Sequence, residues 1–373
     1  MRSDILDIPR KTSIIALTAA SLRRGIDNGQ WTGFLPSERQ LSDMLQVSRP
    51  TVALALASLK REGLIQSERG KGHRVLRASA GGESDRQRKV NLLFIENSKN
   101  ERNQAVSAYS DELRRRLYSV GYHLEVIGLT GLNEKRPENA LRKFAARKPA
   151  DLWILYSTPP TVQQWFSAQS LPALIFGSNE ASVKLPSIDM DYYATGRHAA
   201  GTFIHLGHRN IACFLPLRTR AGDLATKAGF EAGIRSHRGD PAAGTIVWHG
   251  PTAHDICIQL DRLLTRNPSC TGILVVQSLH AITVLSYLLR SGHNIPRDIS
   301  VIVCDGESFL RHFTPTPSYY EYNVQLFATK LARLAVQFCT LAVLPHLHSR
   351  IVPKFLPGET LAPPPRNVTS VSR

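Results

Sequence analysis

Apolar and polar residues follow two different patterns along the chain, and the first of these patterns is helical. In the segment VSRPTVALALASLKREGLI, the apolar residues Val52, Leu56 and Leu59 recur at the spacing of one helix stripe. Ser48 stands at the expected N-cap, and Pro50 lies in the first turn, where its missing N–H costs little. The segment therefore buries one face of a helix. The opposite face presents small and basic residues: Arg49, Pro50, Ala53, Ala57 and Lys60.

Two further helical patterns come before this segment. The first covers residues 11–28, and the second covers residues 37–45 and begins with Ser37 and Gln40 at the spacing of a capping box. Because only a short turn separates the second pattern from the third, the sequence predicts a helix-turn-helix. A plain three-helix bundle with a solvated basic turn fits the same periodicity.

The segment LIQSERGKGHRVL, which follows the third helix, has the pattern of a strand, a turn and a strand. Its tip is rich in glycine, and basic residues lie on or beside it: Arg69, Lys71, His73 and Arg74. Glycines let the main chain approach a partner closely, and cations displace the counterions condensed on nucleic acid. The hairpin is therefore a candidate wing that contacts a phosphate backbone or a minor groove.

Beyond residue 90 the pattern changes to short apolar runs separated by helical stretches. Eight runs predict buried strands: VNLLFI, YHLEVIGL, DLWILY, PALIFG, NIACFLP, GTIVWH, TGILVV and ISVIVC. Helical patterns fall between most of them, over residues 104–120, 194–206, 222–236, 253–266 and 278–291. This alternation is typical of parallel sheets built from βαβ units. Eight strands are too many for one small sheet, so we expect an α/β protein with two doubly wound halves behind the N-terminal helices.

Composition and charge narrow the class of partner. The 373 residues include 46 Lys and Arg against 30 Asp and Glu, a formal charge of +16, which favours a polyanionic partner such as nucleic acid or an anionic membrane surface. A basic protein without a polyanionic partner would have the same excess of positive charge. The five cysteines form no CxxC pair, the N-terminus has no signal-peptide core, and no apolar run approaches ~20 residues. We therefore expect a cytoplasmic protein with no membrane contact.

The N-terminal residues resemble a known family of DNA-binding domains. The run PSERQLSDMLQVSRPTVALALASLKREGLIQSERGKG is similar to the winged helix-turn-helix of GntR-type transcription regulators, and the match covers about residues 9–77. The resemblance implies that the third helix reads the major groove of double-stranded DNA. Ala53 stands where the family usually has arginine, and it fits a thymine methyl group instead. The candidate DNA-binding residues are Ser37, Arg39, Ser48, Arg49, Thr51, Ala53, Arg69, Lys71, Gly72 and His73.

Polar residues directly follow several of the predicted strands. In open α/β sheets, ligands bind beyond the carboxyl ends of the strands at a topological switch point. Each residue alone fits an ordinary loop position, and their shared position at strand ends favours a binding site. The candidate effector-binding residues are Asn97, Ser98, Ser157, Thr158, Gly177, Arg220, Gln277 and Asp305, with Ser178 and Ser278 beside them.

The larger part of the chain resembles LacI/GalR-type regulators. The resemblance rests on SIDMDYYATGRHAAGTFIHLGHRNIACFLP, PRDISVIVCDGESFLRHFTPTPSYYEYN and VPKFLPGETLAPP, and it spans about residues 90–365. It implies the fold of periplasmic binding proteins, in which two lobes close on a sugar, nucleoside, purine or related metabolite. By the same resemblance, Asp305 matches the first Asp of the family's FDD and accepts hydrogen bonds from ligand hydroxyls.

Three positions of the implied pocket depart from this family. Thr226 stands where an arginine is usual, and Gln277 and Ser278 stand where the family has Asn and Asp. Arg220 lies ten residues before Phe230, in a loop where some members place a ligand-binding arginine. A carboxylate beside hydroxyl-bearing neighbours fits a polyol or a sugar better than an apolar ligand.

These patterns divide the chain into a winged helix (residues 1–77), a linker (78–89), a two-lobed effector-binding and dimerisation domain (90–365) and a tail (366–373). The first lobe is expected at about residues 90–187 and 321–342. The second lobe is expected at about residues 188–317 and 343–360.

We therefore expect a ligand-responsive, DNA-binding transcription regulator. It would repress a sugar or related operon as a homodimer, because paired heads match two-fold operators. Two alternatives are a regulator whose sensor lobes serve only for dimerisation and a solute-binding receptor. The sequence has no GxGxxG after a strand, no GxxxxGK[ST], no HExxH and no GxSxG, so we expect no enzyme, cofactor or metal site.

Overall fold

The structure is a computed structural model, and it describes most of the chain. The described residues are 14–27, 29–68, 70–76, 88–96, 104–130, 132, 137–169, 171–180, 182–217, 220–237, 242–341 and 348–365. Arg69, Asn97 and Ser98 lie outside these residues, as do most of the predicted linker and the whole predicted tail.

Three helices and a hairpin form the N-terminal unit, which we call the winged helix. Its elements are α1 (Ile14–Asp27), α2 (Glu38–Leu45), α3 (Arg49–Arg61), β1 (Ile65–Glu68) and β2 (Gly72–Val75). The two strands are antiparallel, and they pair in one register from one end to the other. The helix-turn-helix and the strand-turn-strand pattern that the sequence predicts are therefore present.

Apolar residues from all three helices form the core of the winged helix. Leu22 and Ile26 of α1, Leu41 of α2, and Val52 and Leu59 of α3 are fully buried. The α3 stripe that the periodicity predicts thus packs inward, and burial of side chains of this size stabilises a small domain by ~1.5–3 kcal/mol each. The arrangement leaves the opposite face of α3 directed away from this core.

The sensor part, from residue 88 onward, contains twelve strands and eight α-helices within the described residues. The strands are β3 (Arg88–Glu96), β4 (Tyr122–Thr130), β5 (Leu152–Tyr156), β6 (Ala173–Phe176), β7 (Ser187–Met190), β8 (Asn210–Pro216), β9 (Ala243–His249), β10 (Gly272–Val275), β11 (Ser300–Gly306), β12 (Ser318–Glu321), β13 (His348–Ile351) and β14 (Lys354–Leu356). The helices are α4 (Gln104–Tyr118), α5 (Glu138–Arg147), α6 (Pro160–Ala168), α7 (Tyr192–His205), α8 (Ala221–Arg235), α9 (Ala253–Arg266), α10 (Ser278–Arg290) and α11 (Val324–Leu341).

The strands form two separate six-stranded sheets, one in each lobe. The sheet of the first lobe has the order β13-β7-β6-β5-β3-β4, and all of its strands are parallel. The sheet of the second lobe has the order β14-β12-β11-β10-β8-β9, in which only β14 is antiparallel to its neighbour. The sequence-based expectation of an α/β protein with two doubly wound halves is confirmed.

The chain passes between the lobes three times. It crosses from β7 to α7, from β12 to α11, and from β13 to β14. Helix α7 packs on the second lobe, through Ala199 and Phe203. Helix α11 packs on the first lobe, through Phe327 and Leu331. We call these three connections the crossovers. Any change in the angle between the lobes requires the backbone of the crossovers to bend.

The eight predicted strands are all present, but the predicted lobe limits differ from the sheets. The expected limit near residue 187 falls at the start of β7, which belongs to the first sheet. The range 343–360, expected in the second lobe, includes β13, which pairs with β7 in the first sheet. Strands β7, β12, β13 and β14 have only three or four residues each, and the sequence patterns did not predict them. They form because neighbouring strands pair with them.

None of the helices within the described ranges is both long and apolar enough to cross a bilayer.

Candidate functional site

Side-chain caps set the positions of α2 and α3 in the winged helix. The Ser37 hydroxyl accepts a hydrogen bond from the Gln40 amide at 3.3 Å, and the Gln40 side chain accepts one from the Ser37 amide at 2.9 Å. The Ser48 hydroxyl caps α3 in the same way through the Thr51 amide, at 3.3 Å, and it also lies 2.8 Å from the Thr51 hydroxyl. Both caps are exposed, and free N–H groups at a helix start attract phosphate.

The outer face of α3 is open and carries positive charge. Arg49 and Lys60, near the two ends of the helix, are exposed. Ala53 and Ala57 lie between them, half-buried and exposed respectively, and their small side chains do not project far from the helix. Leu54 is 54% exposed on this helix, a feature that the apolar periodicity did not single out. A face with small side chains in its middle and cations at its ends fits into the major groove, which admits one helix.

The wing turns sharply at its glycines. Gly70 and Gly72 have φ values of +79° and +99°, a conformation that favours glycine, and the exposed Lys71 lies between them. Lys71 makes no ion pair with any residue that the structure describes, and the same holds for Arg39, Arg49 and Lys60. We call the exposed surface that carries these free cations of α2, α3 and the wing the basic face.

His73 and Arg74 have structural partners on the wing. The His73 ring lies 3.2 Å from the Ser67 hydroxyl and 3.8 Å from the Glu38 carboxylate, so it ties the wing to the first turn of α2. Arg74 pairs with Glu68 across the hairpin at 3.3 Å. Sequence reasoning placed His73 among the DNA contacts. The structure gives its ring the role of a brace between two elements of the basic face.

The winged helix rests on the first lobe of the sensor part. Helices α1 and α2 both contact α11. Arg333 of α11 donates a hydrogen bond to the side-chain oxygen of Gln46 at 3.1 Å. Gln46 lies in the turn between α2 and α3 and has a left-handed backbone, with φ +55°. The helix-turn-helix is thus connected directly to the helix that follows the second crossover.

Polar residues at the carboxyl ends of the strands meet between the two lobes, in what we call the cleft. Ser157 follows β5 in the first lobe, and Arg220 precedes α8 in the second. The Arg220 guanidinium donates a hydrogen bond to the Ser157 hydroxyl at 2.8 Å. The expectation that strand-end residues of both halves converge is therefore met for this pair.

The first-lobe side of the cleft is shaped by two unusual backbone positions. Ser157 has φ +47°, and Gly177 has φ +127°, which is the left-handed region. A Cβ at Gly177 would lie 3.4 Å from the Ser157 amide nitrogen, so the two strand-end turns pack closely. Thr158 is buried, and its hydroxyl has no hydrogen-bond partner among the described residues. Gly177 is needed for the turn, and Ser157 and Thr158 contribute the polar atoms.

Asp305 is a free carboxylate at the centre of the cleft. No residue in the described part of the chain donates a hydrogen bond to it, and it is half-buried at the end of β11. Burial and the nearby Glu307 raise the pKa of Asp305 to about 7, although the Arg220 charge opposes this shift. An acid in this position accepts hydrogen bonds from ligand hydroxyls when it is ionised.

Asp189 is a second acid near the cleft, and it was not among the predicted residues. Its carboxylate accepts hydrogen bonds from the Ser178 hydroxyl at 2.6 Å and from the Met190 amide at 2.8 Å. Burial nevertheless raises the pKa of Asp189 to about 6. The SIDMD run, quoted above for its resemblance, contains this residue, so the signal was present in the sequence.

Three predicted pocket positions of the second lobe are occupied by internal hydrogen bonds. Gln277 supports Asp223 through its side chain, and Asp223 accepts a hydrogen bond from the Arg220 amide at 2.9 Å. Ser278 is buried and donates to Glu307 at 3.2 Å. Thr226 is buried and donates to the Gly222 carbonyl at 3.0 Å. Thr226 and Ser278 therefore do not offer their hydroxyl protons to a ligand.

A cluster of aromatic rings lies beside Asp305, and sequence reasoning missed it. Tyr109 and Tyr156 both pack edge-on against Phe176, with ring centroids 4.9 Å apart in each pair. The Tyr192 and Tyr322 hydroxyls are hydrogen-bonded to each other next to the first and second crossovers. The Asp305 charge contributes to raising the pKa of each of these four tyrosines. The cleft therefore combines a free carboxylate with aromatic walls.

Comparison with known protein families decides what the two parts of the chain are. Residues 17–75 match the family model of bacterial regulatory proteins of the gntR family. Residues 200–361 match the model of the periplasmic binding protein-like domain. The gntR-type model thus matches the N-terminal part of the chain, and the periplasmic binding protein-like model matches most of its second half. Both resemblances that the sequence motifs carry are thus confirmed, and the gntR-type domain coincides with the winged helix.

Two similar proteins are named as a transcriptional regulator and a transcriptional repressor. The chain is 29% identical over 159 residues to the HTH-type transcriptional regulator CelR of Thermobifida fusca, a match that covers 41% of this chain and 45% of that protein. It is 24% identical over 289 residues to the arabinose metabolism transcriptional repressor of Geobacillus stearothermophilus, covering 74% of this chain and 76% of that one. The chain thus spans less than half the length of the first of these relatives.

A solved structure, described as a transcriptional regulator CelR–cellobiose complex, has the same fold. It aligns with a TM-score of 0.61 at 17% identity, covering 87% of this chain and all of that one. At this identity the likeness establishes the two-lobed architecture of the periplasmic binding protein-like domain and nothing about its ligand.

Proposed function

We propose that the protein is a DNA-binding transcription regulator whose affinity for its operator responds to a small polar effector. The basic face of the gntR-type domain is the observation that carries this proposal. Its exposed cations Arg39, Arg49 and Lys71 make no ion pair with the described residues, and cations of this kind neutralise DNA phosphates.

In the proposed complex, α3 lies in the major groove of double-stranded DNA. Arg49 at its N-terminal end reaches a phosphate or a guanine edge, and Ala53 packs on a thymine methyl group. Lys71, at the tip of the wing, contacts the adjacent DNA backbone or the minor groove. Ser37 and Ser48 cap α2 and α3, Thr51 donates its amide to the Ser48 cap, and the exposed starts of both helices approach the backbone phosphates.

The cleft supports a sugar or a related polyol as the effector. The free Asp305 carboxylate accepts hydrogen bonds, and the nearby Arg220 guanidinium donates them. Aromatic rings such as Tyr156, which is half-buried, pack against the apolar faces of sugar rings. The name of the CelR–cellobiose complex describes such a ligand in a protein of the same fold.

Effector binding is transmitted through the crossovers. Tyr192 begins α7 and Tyr322 lies just before α11, and their hydroxyls are bonded beside the cleft. A ligand that favours one closure of the lobes therefore shifts α11. Because Arg333 of α11 is bonded to Gln46 of the helix-turn-helix, this shift reorients the DNA-binding domain. We propose that two such domains act as a homodimer on a two-fold operator in the cytoplasm and repress a sugar or related operon.

A second function is favoured by the inward hydroxyls of the second lobe. Thr226 and Ser278 donate to groups of their own lobe at two positions that the LacI/GalR-type resemblance assigns to ligand binding. In this alternative, the sensor part has lost its ligand and serves only to hold two DNA-binding domains together.

Selection of bound sites from a random double-stranded DNA pool tests the proposed function. We expect the full-length protein to enrich a two-fold symmetric sequence with two half-sites. Thermal unfolding with a panel of monosaccharides and disaccharides then separates the two forms of the proposal, since a ligand at 100 times its Kd adds ~2.7 kcal/mol of stability. A symmetric DNA site without stabilisation by any sugar of the panel would favour the dimerisation-only alternative.

A further inference from the structure

A groove beside α7 of the second lobe is distinct from the cleft. Its volume is about 600 Å³, within the range of small-molecule sites. Its walls come from α7, the end of α8, β12 and the third crossover, and the residues that define it are Tyr193, Arg197, His198, Tyr320, Val352 and Phe355. None of the strand-end residues of the cleft lines it.

The floor of this groove is one face of α7. Tyr193, Arg197 and Gly201 are spaced four residues apart and therefore lie on the same side of the helix. A Cβ built at Gly201 meets no atom within 4 Å. Glycine within a helix costs about 1 kcal/mol relative to alanine, and no neighbour requires it here. The missing side chain keeps the floor of the groove open.

The groove combines apolar walls with a free cation. Val352 is 70% exposed and Tyr193 is 41% exposed, so both side chains offer apolar surface to a ligand. Arg197 is exposed, and the salt bridges between described residues do not include it. His198 Nδ1 and the Tyr320 hydroxyl are hydrogen-bonded at 2.7 Å. This bond fixes the orientation of the imidazole ring. Among the described residues, no acidic side chain lines the groove.

The groove lies against all three crossovers. Tyr193 and Ala194 immediately follow the first crossover, Tyr320 belongs to the strand that leads into the second, and Val352 and Pro353 form the third. A molecule in the groove therefore contacts the third crossover and the elements that adjoin the other two.

We infer that this groove binds an aromatic or alicyclic carboxylate and is a second ligand site of the protein. The carboxylate pairs with Arg197, and the ring packs against the apolar side chains of Tyr193, Val352 and Phe355. Because the ligand touches the third crossover and the elements beside the other two, its binding favours one angle between the lobes. The inference depends on neither DNA binding nor an effector in the cleft.

Ligand-observed NMR with benzoate as the probe tests this site on the full-length protein. We expect saturation transfer from the wild-type protein to benzoate. The Gly201→Leu substitution fills the floor with a side chain that has room there and a better helix propensity, so the protein should fold and the benzoate signal should be lost. Arg197→Gln should weaken benzoate binding at least fivefold. Arg266→Gln, at the exposed end of α9, removes the same charge and should leave binding unchanged.

Three results would overturn the inference. One is an undiminished benzoate signal in a folded Gly201→Leu variant, with the fold checked by its thermal unfolding. Another is displacement of benzoate by inorganic phosphate at the same concentration, which would show that the site is only an exposed cation that binds any anion. The third is no benzoate binding to the wild-type protein. If Gly201→Leu then also weakened self-association in sedimentation velocity, the groove would be a contact between two copies of the chain.

Discussion

The Arg220 guanidinium in the second lobe donates a hydrogen bond of 2.8 Å to the Ser157 hydroxyl in the first. The two residues come from elements on opposite sides of the cleft, at the end of β5 and at the start of α8. Ser157 holds its hydroxyl there from a left-handed backbone, which non-glycine residues adopt only when the surrounding structure imposes it. This bond favours the closed arrangement of the lobes.

Loss of the bond across the cleft should weaken effector binding. A hydrogen bond of this kind contributes about 1 kcal/mol, so Arg220→Ala should reduce the affinity for a stabilising sugar about fivefold or more. Titration calorimetry with a sugar found in the thermal-unfolding panel measures this affinity. Ser157→Ala is the matched change on the other lobe, and it should give a smaller loss because Arg220 keeps its charge. Unchanged affinity in both variants would show that the bond has no part in closure.

Asp305 should make stability depend on pH in a predictable direction. Its pKa is about 7 in the folded protein and 3.8 as a free group, so between these values the folded state holds more protons than the unfolded state. The free energy of unfolding therefore falls as pH rises from about 4 to about 7. Asp305→Asn removes this contribution. Without effector, urea unfolding should show the variant gaining stability over the wild type from pH 5 to pH 8, and a constant difference would refute the assignment.

The contact between Arg333 and Gln46 should affect how the effector controls DNA binding. An exposed hydrogen bond contributes ~0.5–1.5 kcal/mol. We therefore expect Arg333→Ala and Gln46→Ala each to reduce the effector-induced change in DNA affinity by about threefold. Fluorescence anisotropy of a labelled operator, with and without the sugar, measures this change.

A double-mutant cycle provides the control for this contact. If the two side chains act through each other, the double variant should behave like either single variant. Additive effects would mean that the two residues influence DNA binding separately.

Ala53 should determine one base of the operator. Ala53→Arg introduces the residue usual in GntR-type regulators on an outward, half-buried position of α3, so the fold should be unaffected. Repeating the DNA selection with this variant should replace a preferred thymine with guanine at one position in each half-site, because arginine pairs with guanine in the major groove. An identical consensus from both proteins would place Ala53 away from the bases.

Local patterns in the sequence predicted those parts of the fold that local interactions determine. The caps at Ser37 and Ser48, the buried stripe of α3 and the eight apolar strands all depend on residues close together in the chain. Strands β7 and β13 could not be predicted in this way, because each is short and forms by pairing with neighbours distant in the sequence, β7 with β6 and β13, and β13 with β7.

The candidate site was predicted in part. Strand-end position correctly indicated that Ser157 and Arg220 meet, since parallel strands direct their carboxyl ends to one edge. It did not reveal that Thr226 and Ser278 turn inward, because hydrogen-bond partners are set by tertiary packing. The rings of Tyr109 and Tyr322 come from segments far apart in the sequence, so only the folded chain shows them packed together.

DNA affinity as a function of salt concentration, for the wild type and Arg49→Ala, tests the central claim most directly. The account predicts steep salt dependence on the selected site, a marked loss of affinity in Arg49→Ala, and a slope smaller by about one if Arg49 contacts a phosphate. Arg24→Ala removes an exposed arginine from α1 instead of α3, and it should bind like the wild type. Weak binding that ignores DNA sequence and is the same in all three proteins would contradict the account.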